Sequence, residues 1–362
     1  MFSTDYATIL ACLSEIKPLE YVKNRNYLDG SVTRLSPFIS RGVISTKMVF
    51  TFLKSQGYDL EQIEKLVQEL AWRDYWQQVW IAKKEGINQP IRHPQADVQN
   101  HEISAAIVNG ESGIEAIDAA IRGLYETGYL HNHSRMYISA MTCNMSKSHW
   151  LLPAKWMYYH LFDGDWASNA LSWQWVAGTN SNKKYYANQE NINKYCHTSQ
   201  EGTFLDIPYE AFEHLAIPSA LKQTILPQFK TNLPIKGALR IDPTLPTYIY
   251  TSYNLDPLWG TAINANRVLL LEPSQFEQYP ISDKVLQFII DLSKNINGIQ
   301  IYITEFERFK IDYNPVDIHY KEHPLNAHFS GTRHERDWMF KVEGDYRSFF
   351  AFWKKCKREL YA

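Results

Sequence analysis

Residues 68–80 read QELAWRDYWQQVW and set Glu69, Trp72, Arg73, Trp76 and Trp80 at positions i, i+3, i+4, i+7 and i+11. On a helix that spacing collects a carboxylate, a guanidinium and three indoles on one face. Indoles alone mark a core face, but an acid and an arginine inside the same stripe do not, because unpaired buried charge is costly. The face is read as ligand-directed, with an internal Glu69–Arg73 pair as the structural alternative.

Two further stretches repeat this mixture. GYLHNHSRM, 128–136, spaces Asn132, Arg135 and Met136 at i, i+3 and i+4, and FDGDWASNALSWQW, 162–175, offers Asp163, Asp165, Asn169, Trp173 and Trp175. An arginine and an aspartate from separate segments can pair against a planar heterocycle, and an asparagine supplies a donor and an acceptor to a ring edge. Asp163-Gly-Asp165 alone also fits a turn or a metal-ligand fragment, but no EF-hand register surrounds it, so no metal is expected. His319, His323, His328 and His334 are irregularly spaced without a cysteine pair and read as loop histidines.

Composition sets the outer limits. The 362 residues carry 37 Lys+Arg against 39 Asp+Glu, so bulk electrostatic coating of nucleic acid is excluded and any such contact must be a local patch. With 11 Trp, 23 Tyr and 17 Phe the chain has rings both for a large core and for stacking on flat ligands. Cys12, Cys143, Cys196 and Cys356 form no CxxC pair, which points to reduced thiols. No signal-like amino terminus and no run of 18 apolar residues is found, so a soluble, cytoplasmic, monomeric protein is expected.

The pattern is helical to about residue 204. Within it, Ser112-Gly-Ile-Glu115 reads as a capping box and Gly128 as a helix stop. Residues 205–246 hold six prolines and read as a linker. From 247 to 362 the runs TYIYTSYN, RVLLLE, SDKVLQFIIDLSKN and IQIYIT read as strand, strand, helix and strand of a small parallel sheet, with one or two final helices after Gly331. The expected fold is mainly α, a helical domain followed by a small α/β domain.

Together, YVKNRNYLDGSVTRLSPFISRG, ELAWRDYW, GIEAIDAAIRGLYETGYLHNHSRM and DGDWASNALSWQW resemble the flavin-binding domain of the DNA photolyase and cryptochrome family over about residues 20–197. The resemblance implies FAD, held at its diphosphate and ribityl chain by Tyr21, Thr33, Arg34, Leu35 and Ser36. Arg73, Asn132, Arg135, Asp163, Asp165 and Asn169 would lie around its rings. It implies light-driven repair of cyclobutane pyrimidine dimers in DNA, with Glu69, Trp72, Asn132, Met136 and Trp175 contacting the dimer and Arg25, Trp72, Lys183 and Lys184 contacting DNA. Trp173 and Trp150 match the inner electron-relay tryptophans, while the outer position falls on Ile107. The alternative within the family is a cryptochrome-like photoreceptor without repair. Two departures are the altered stretch after Trp175 and the missing amino-terminal antenna domain, of which residues 247–362 faintly resemble a relocated, reduced version.

Overall fold

The computed structural model describes residues 2–235 and 237–361. By compactness the chain sorts into a helical unit, residues 17–32 and 83–229, and a sheet-bearing unit, residues 1–16, 33–82 and 230–362. This grouping differs from the sequence division at 204 and 247, because residues 33–82 cluster with the carboxyl-terminal sheet.

The helical unit is built from Pro18–Asn24, Ala105–Asn109, Glu115–Thr127, Asn132–Ala140, Leu151–His160, Trp166–Val176 and Gln189–Cys196. A short antiparallel pair, β1 (Ile103–Ser104) and β2 (Thr224–Ile225), closes it. Gly128 ends its helix in the left-handed region at φ +68°, where a β-carbon would meet the Phe162 ring at 2.5 Å, so only glycine fits. The capping expectation at 112–115 is corrected. Ser112 does not cap: its amide and hydroxyl both donate to the Asp118 carboxylate one turn inside the helix, and the cap position is Ile114. The proline-rich stretch forms no long helix, yet Phe212 and Leu221 within it are fully buried.

In the sheet-bearing unit, β3 (Thr247–Tyr250), β4 (Asn266–Leu271), β5 (Ile299–Ile303), β6 (Ile318–Lys321) and β7 (Thr332–His334) run parallel in the order β5-β4-β3-β6-β7. The parallel strands expected over 247–303 are present, and chain order reverses direction between β3 and β6, as in doubly wound folds. β3 to β6 bury one face: Ile249, Val268, Leu270, Tyr302, Ile318 and Tyr320 share a core with Phe306, Phe309 and Phe329. The expectation of loop histidines is corrected for two of the four. His319 and His334 sit on neighbouring strands, with His319 Nδ1 3.0 Å from His334 Nε2. Among the described residues no three His, Cys, Asp or Glu come together as metal ligands would, and no helix is long and apolar enough to cross a membrane.

The Leu60–Lys83 helix, which carries the 68–80 stripe, buries Asp74 at its centre. Asp74 accepts from Thr46 Oγ1 (2.9 Å) and the Met339 amide (2.9 Å). Burial outweighs these bonds and the nearby Arg336 and Arg73, pushing its carboxyl up to about 6. A carboxyl raised on folding contributes most below its unfolded value and loses that contribution as pH climbs through about 6. Urea melts of wild type and Asp74→Asn should therefore show wild type losing about 1 kcal/mol relative to the variant between pH 5 and pH 7; a pH-independent difference would contradict the assignment.

Candidate flavin and lesion residues

In the helical unit the site residues gather around one ion pair. Arg135, on the Asn132–Ala140 helix, directs Nη2 to both oxygens of Asp163 at 3.0 and 2.8 Å, and its Nε donates to the Leu130 carbonyl at 2.9 Å. The guanidinium is aimed by two acceptors, one of them charged, and the Asp163 side chain is 4% exposed. His131 caps the same helix, its Nδ1 accepting from the His133 amide, so the helix start fixes where Arg135 stands. Asn132 and Met136, one turn apart on that helix, meet as Nδ2 to Sδ at 3.8 Å. Past Ala140 the helix widens into a π turn over Met141–Met145, all buried.

Asp165 caps the Trp166–Val176 helix, accepting from the Ser168 amide at 2.6 Å. One turn on, Asn169 is buried and its Nδ2 donates to the Ala154 carbonyl at 2.8 Å. That bond fixes the amide's orientation and leaves Oδ1 as an acceptor. Ser168 Oγ beside it is buried without a hydrogen-bond partner, as are Nε1 of Trp150 and Trp173. The orphaned Ser168 Oγ, between buried Asp165 and Asn169 on the same helix start, fits a group with its own polar edge, such as an isoalloxazine.

The remaining expected residues of this unit are more open. Trp175 is 39% exposed and its ring lies 5.7 Å from that of Tyr185. Lys183 is exposed, whereas Lys184 is held by Asp97 at 2.6 Å. Arg25 lies 6.0 Å over the Tyr21 ring and donates to the Val22 carbonyl. Ile107, at the outer relay position, is fully buried. Trp156 Nε1 donates to Tyr125 Oη at 3.0 Å, and Tyr125 donates to the Val108 carbonyl. Burial pushes the Tyr125 phenol up to about 12. The position of Tyr125 beside Val108 is not signalled by any spacing in the sequence.

In the sheet-bearing unit, Thr33, Arg34 and Leu35 form a turn into the short Ser36–Ser40 helix. Arg34 is at φ +52°, and Thr33 Oγ1 accepts from the Leu35 amide at 3.5 Å. Arg73 Nη1 donates to Ser40 Oγ at 2.7 Å, and Glu69 is paired with Lys65 at 3.0 Å, both side chains 35% exposed. The indole stripe divides. Trp80 is core, whereas Trp72 and Trp76 are half-buried with ring centroids 4.8 Å apart. One face of Trp72 carries Phe349, centroids 3.7 Å apart and planes 10° from parallel, a neighbour the sequence does not announce.

Comparison with known proteins bears out the resemblance. Residues 66–206 match the model of the FAD binding domain of DNA photolyase. The deoxyribodipyrimidine photo-lyase of Streptomyces griseus is 32% identical over 168 residues, 46% of this chain and 36% of that protein. That of Thermus thermophilus is 32% identical over 179 residues, 47% of this chain and 41% of that protein. The chain thus spans about two-fifths of the length of these curated relatives. Among solved structures, a Synechocystis sp. PCC6803 cryptochrome gives a TM-score of 0.47 at 21% identity, covering 54% of this chain and 44% of that one. An archaeal photolyase from Sulfolobus tokodaii, solved with two FAD molecules, gives 0.46 at 22%, covering 58% and 49%.

Removing the guanidinium strands a buried carboxylate, so Arg135→Ala should destabilise the flavin-free chain by about 3 kcal/mol. Arg135→Ala with Asp163→Ala should regain part of that loss in urea melts; strict additivity of the two single changes would show that the groups do not act as a pair.

Proposed function

We propose that this chain, whose residues 66–206 are an FAD-binding domain of the DNA photolyase type, repairs cyclobutane pyrimidine dimers in DNA under blue light. The observation that carries the cofactor half of this reading is the Arg135–Asp163 pair with Asn169 close by in sequence, its amide turned by Ala154 so that Oδ1 is left to accept. An acceptor at that place suits a flavin nitrogen that bears a proton, the form a reduced flavin presents. Bound FAD would supply light-driven one-electron donation. Arg135 and Asp163 would orient the ring system, and Asp165 and Ser168 would serve its polar rim.

The lesion half rests on residue types. Asn132 and Met136 stand together on one helix face, and Trp175 keeps an accessible ring. In the family such positions meet the extruded dimer, which costs less to unstack than an intact base step. Glu69, whose side chain is 35% exposed, would accept from a pyrimidine edge on exchanging Lys65 for that partner. The partner is accordingly DNA that contains a pyrimidine dimer, contacted also by Arg25 and Lys183.

A photoreceptor without repair is the second reading, favoured by Phe349 on the Trp72 face, by Ile107 at the outer relay position and by the Lys184–Asp97 pair, which takes up one expected phosphate contact. The two separate in one assay: reduce the flavin chemically, add a dimer-containing oligonucleotide, illuminate, and follow ultraviolet absorbance. Restored thymine absorbance is the outcome predicted by repair; a yellow protein that restores none supports the receptor. Within the repair reading, Glu69→Ala should lower the repair yield roughly tenfold, about the cost of one unpaired polar contact, while the visible flavin spectrum stays unchanged. Loss of flavin from Glu69→Ala would place that carboxylate on the cofactor or in the core.

A further inference from the structure

The carboxyl-terminal helix, Phe349–Leu360, lies against the 68–80 stripe in the sheet-bearing unit. Its buried side chains are Phe349, Phe352, Trp353, Cys356 and Leu360, so the helix is amphipathic and docked. The docking is uneven along its length. At the far end, Glu64 receives three donors: Trp353 Nε1 at 3.2 Å, Lys357 Nζ at 3.0 Å and Tyr361 Oη at 3.4 Å. At the near end, Phe349 is the first helical residue, 2% exposed, and lies flat on Trp72. Phe350 beside it is 68% exposed. The segment leading in, 341–348, is largely exposed. Its ties to the stripe helix include the Gly344 amide donating to Gln78 Oε1 at 3.3 Å and Tyr75 Oη donating to the Tyr346 carbonyl at 3.2 Å. Gly344 has φ +117°, a conformation side chains rarely adopt.

We infer that Phe349 is a displaceable plug on the Trp72 face: an extruded pyrimidine and the Phe349 ring compete for the same indole, and the lesion gains access when 344–350 swings away. This rests on the repair reading above, with Trp72, which the family resemblance sets in contact with the dimer, taken to stack one of its pyrimidines. A ring at 3.7 Å and 10° occupies the separation and tilt that a stacked base needs, so the two cannot share that face. Gly344 supplies the bend, and only the first helical turn has to open, since the Glu64 bonds hold the helix from Trp353 onward. Binding of the dimer and opening of the plug are then linked, each favouring the other.

The test uses the full flavin-loaded chain and single-stranded oligonucleotides with and without a thymine dimer. Phe349→Ala should bind the dimer-containing strand about tenfold tighter, the size of one stacking contact released from competition, with affinity for the undamaged strand unchanged. Phe349→Leu, which keeps an apolar filler without a ring, should act in the same direction and serves if the alanine variant folds poorly. Adding the dimer-containing strand to wild type should speed amide hydrogen exchange over 344–351 and leave 354–360 protected. Dimer binding by wild type with no gain in either variant and no change in exchange overturns the plug and leaves the repair reading standing. Absence of any preference for the dimer-containing strand in all three flavin-loaded proteins overturns the repair reading, and the plug with it.

Discussion

Asp163 is buried in the helical unit with a formal charge, and a carboxylate so placed is tolerable only with a fixed partner. Arg135 meets that need, and much of the local architecture follows from bringing the two together. Phe162 hydrogen-bonds the Gly128 carbonyl and packs where a side chain at 128 would stand, which holds the start of the 163–175 stretch. Leu130 offers its carbonyl to the guanidinium, and His131 caps the helix that carries it. Two residues after Asp163, Asp165 starts the next helix and sets Asn169 one turn in, against the Ala154 carbonyl. The pair thus fixes a polar set whose members are oriented before any ligand arrives, the preorganisation a cofactor site requires.

That order also separates what is rigid from what must yield. The Arg135, Asp163, Asp165 and Asn169 set is locked by backbone and side-chain acceptors. The groups proposed to meet a lesion have side-chain neighbours instead: Glu69 a partly exposed lysine, Asn132 a thioether, Trp72 a phenylalanine ring. A redox cofactor is served by fixed geometry, and a substrate that must enter and leave is served by replaceable partners.

Much of the fold was legible because periodicity records it. The i, i+3, i+4 pattern of 68–80 lies on one long helix, and the apolar runs at 247, 266 and 299 form parallel strands. The short strands β6 and β7 were not legible: four residues and three, carrying His319 and His334, lack the run length that separates strand from loop. The Ser112 cap misled because Asp118, one turn further on, is a stronger acceptor for the same groups than the motif assumes. Within the site, residue types and spacings named the Arg135–Asp163 pair, but no local pattern announces that Ala154 orients Asn169 or that Phe349 covers Trp72, because contacts between segments leave no periodic trace.

We propose that FAD rests against Arg135, Asp163 and Asn169. Diffraction from crystals of the chain grown with FAD tests it most directly. Isoalloxazine density is expected within hydrogen-bond reach of Asn169 Oδ1 and in contact with Arg135, whose bonds to Asp163 persist. FAD bound elsewhere, or that side-chain set closed over by protein with no room for a ring, would contradict it.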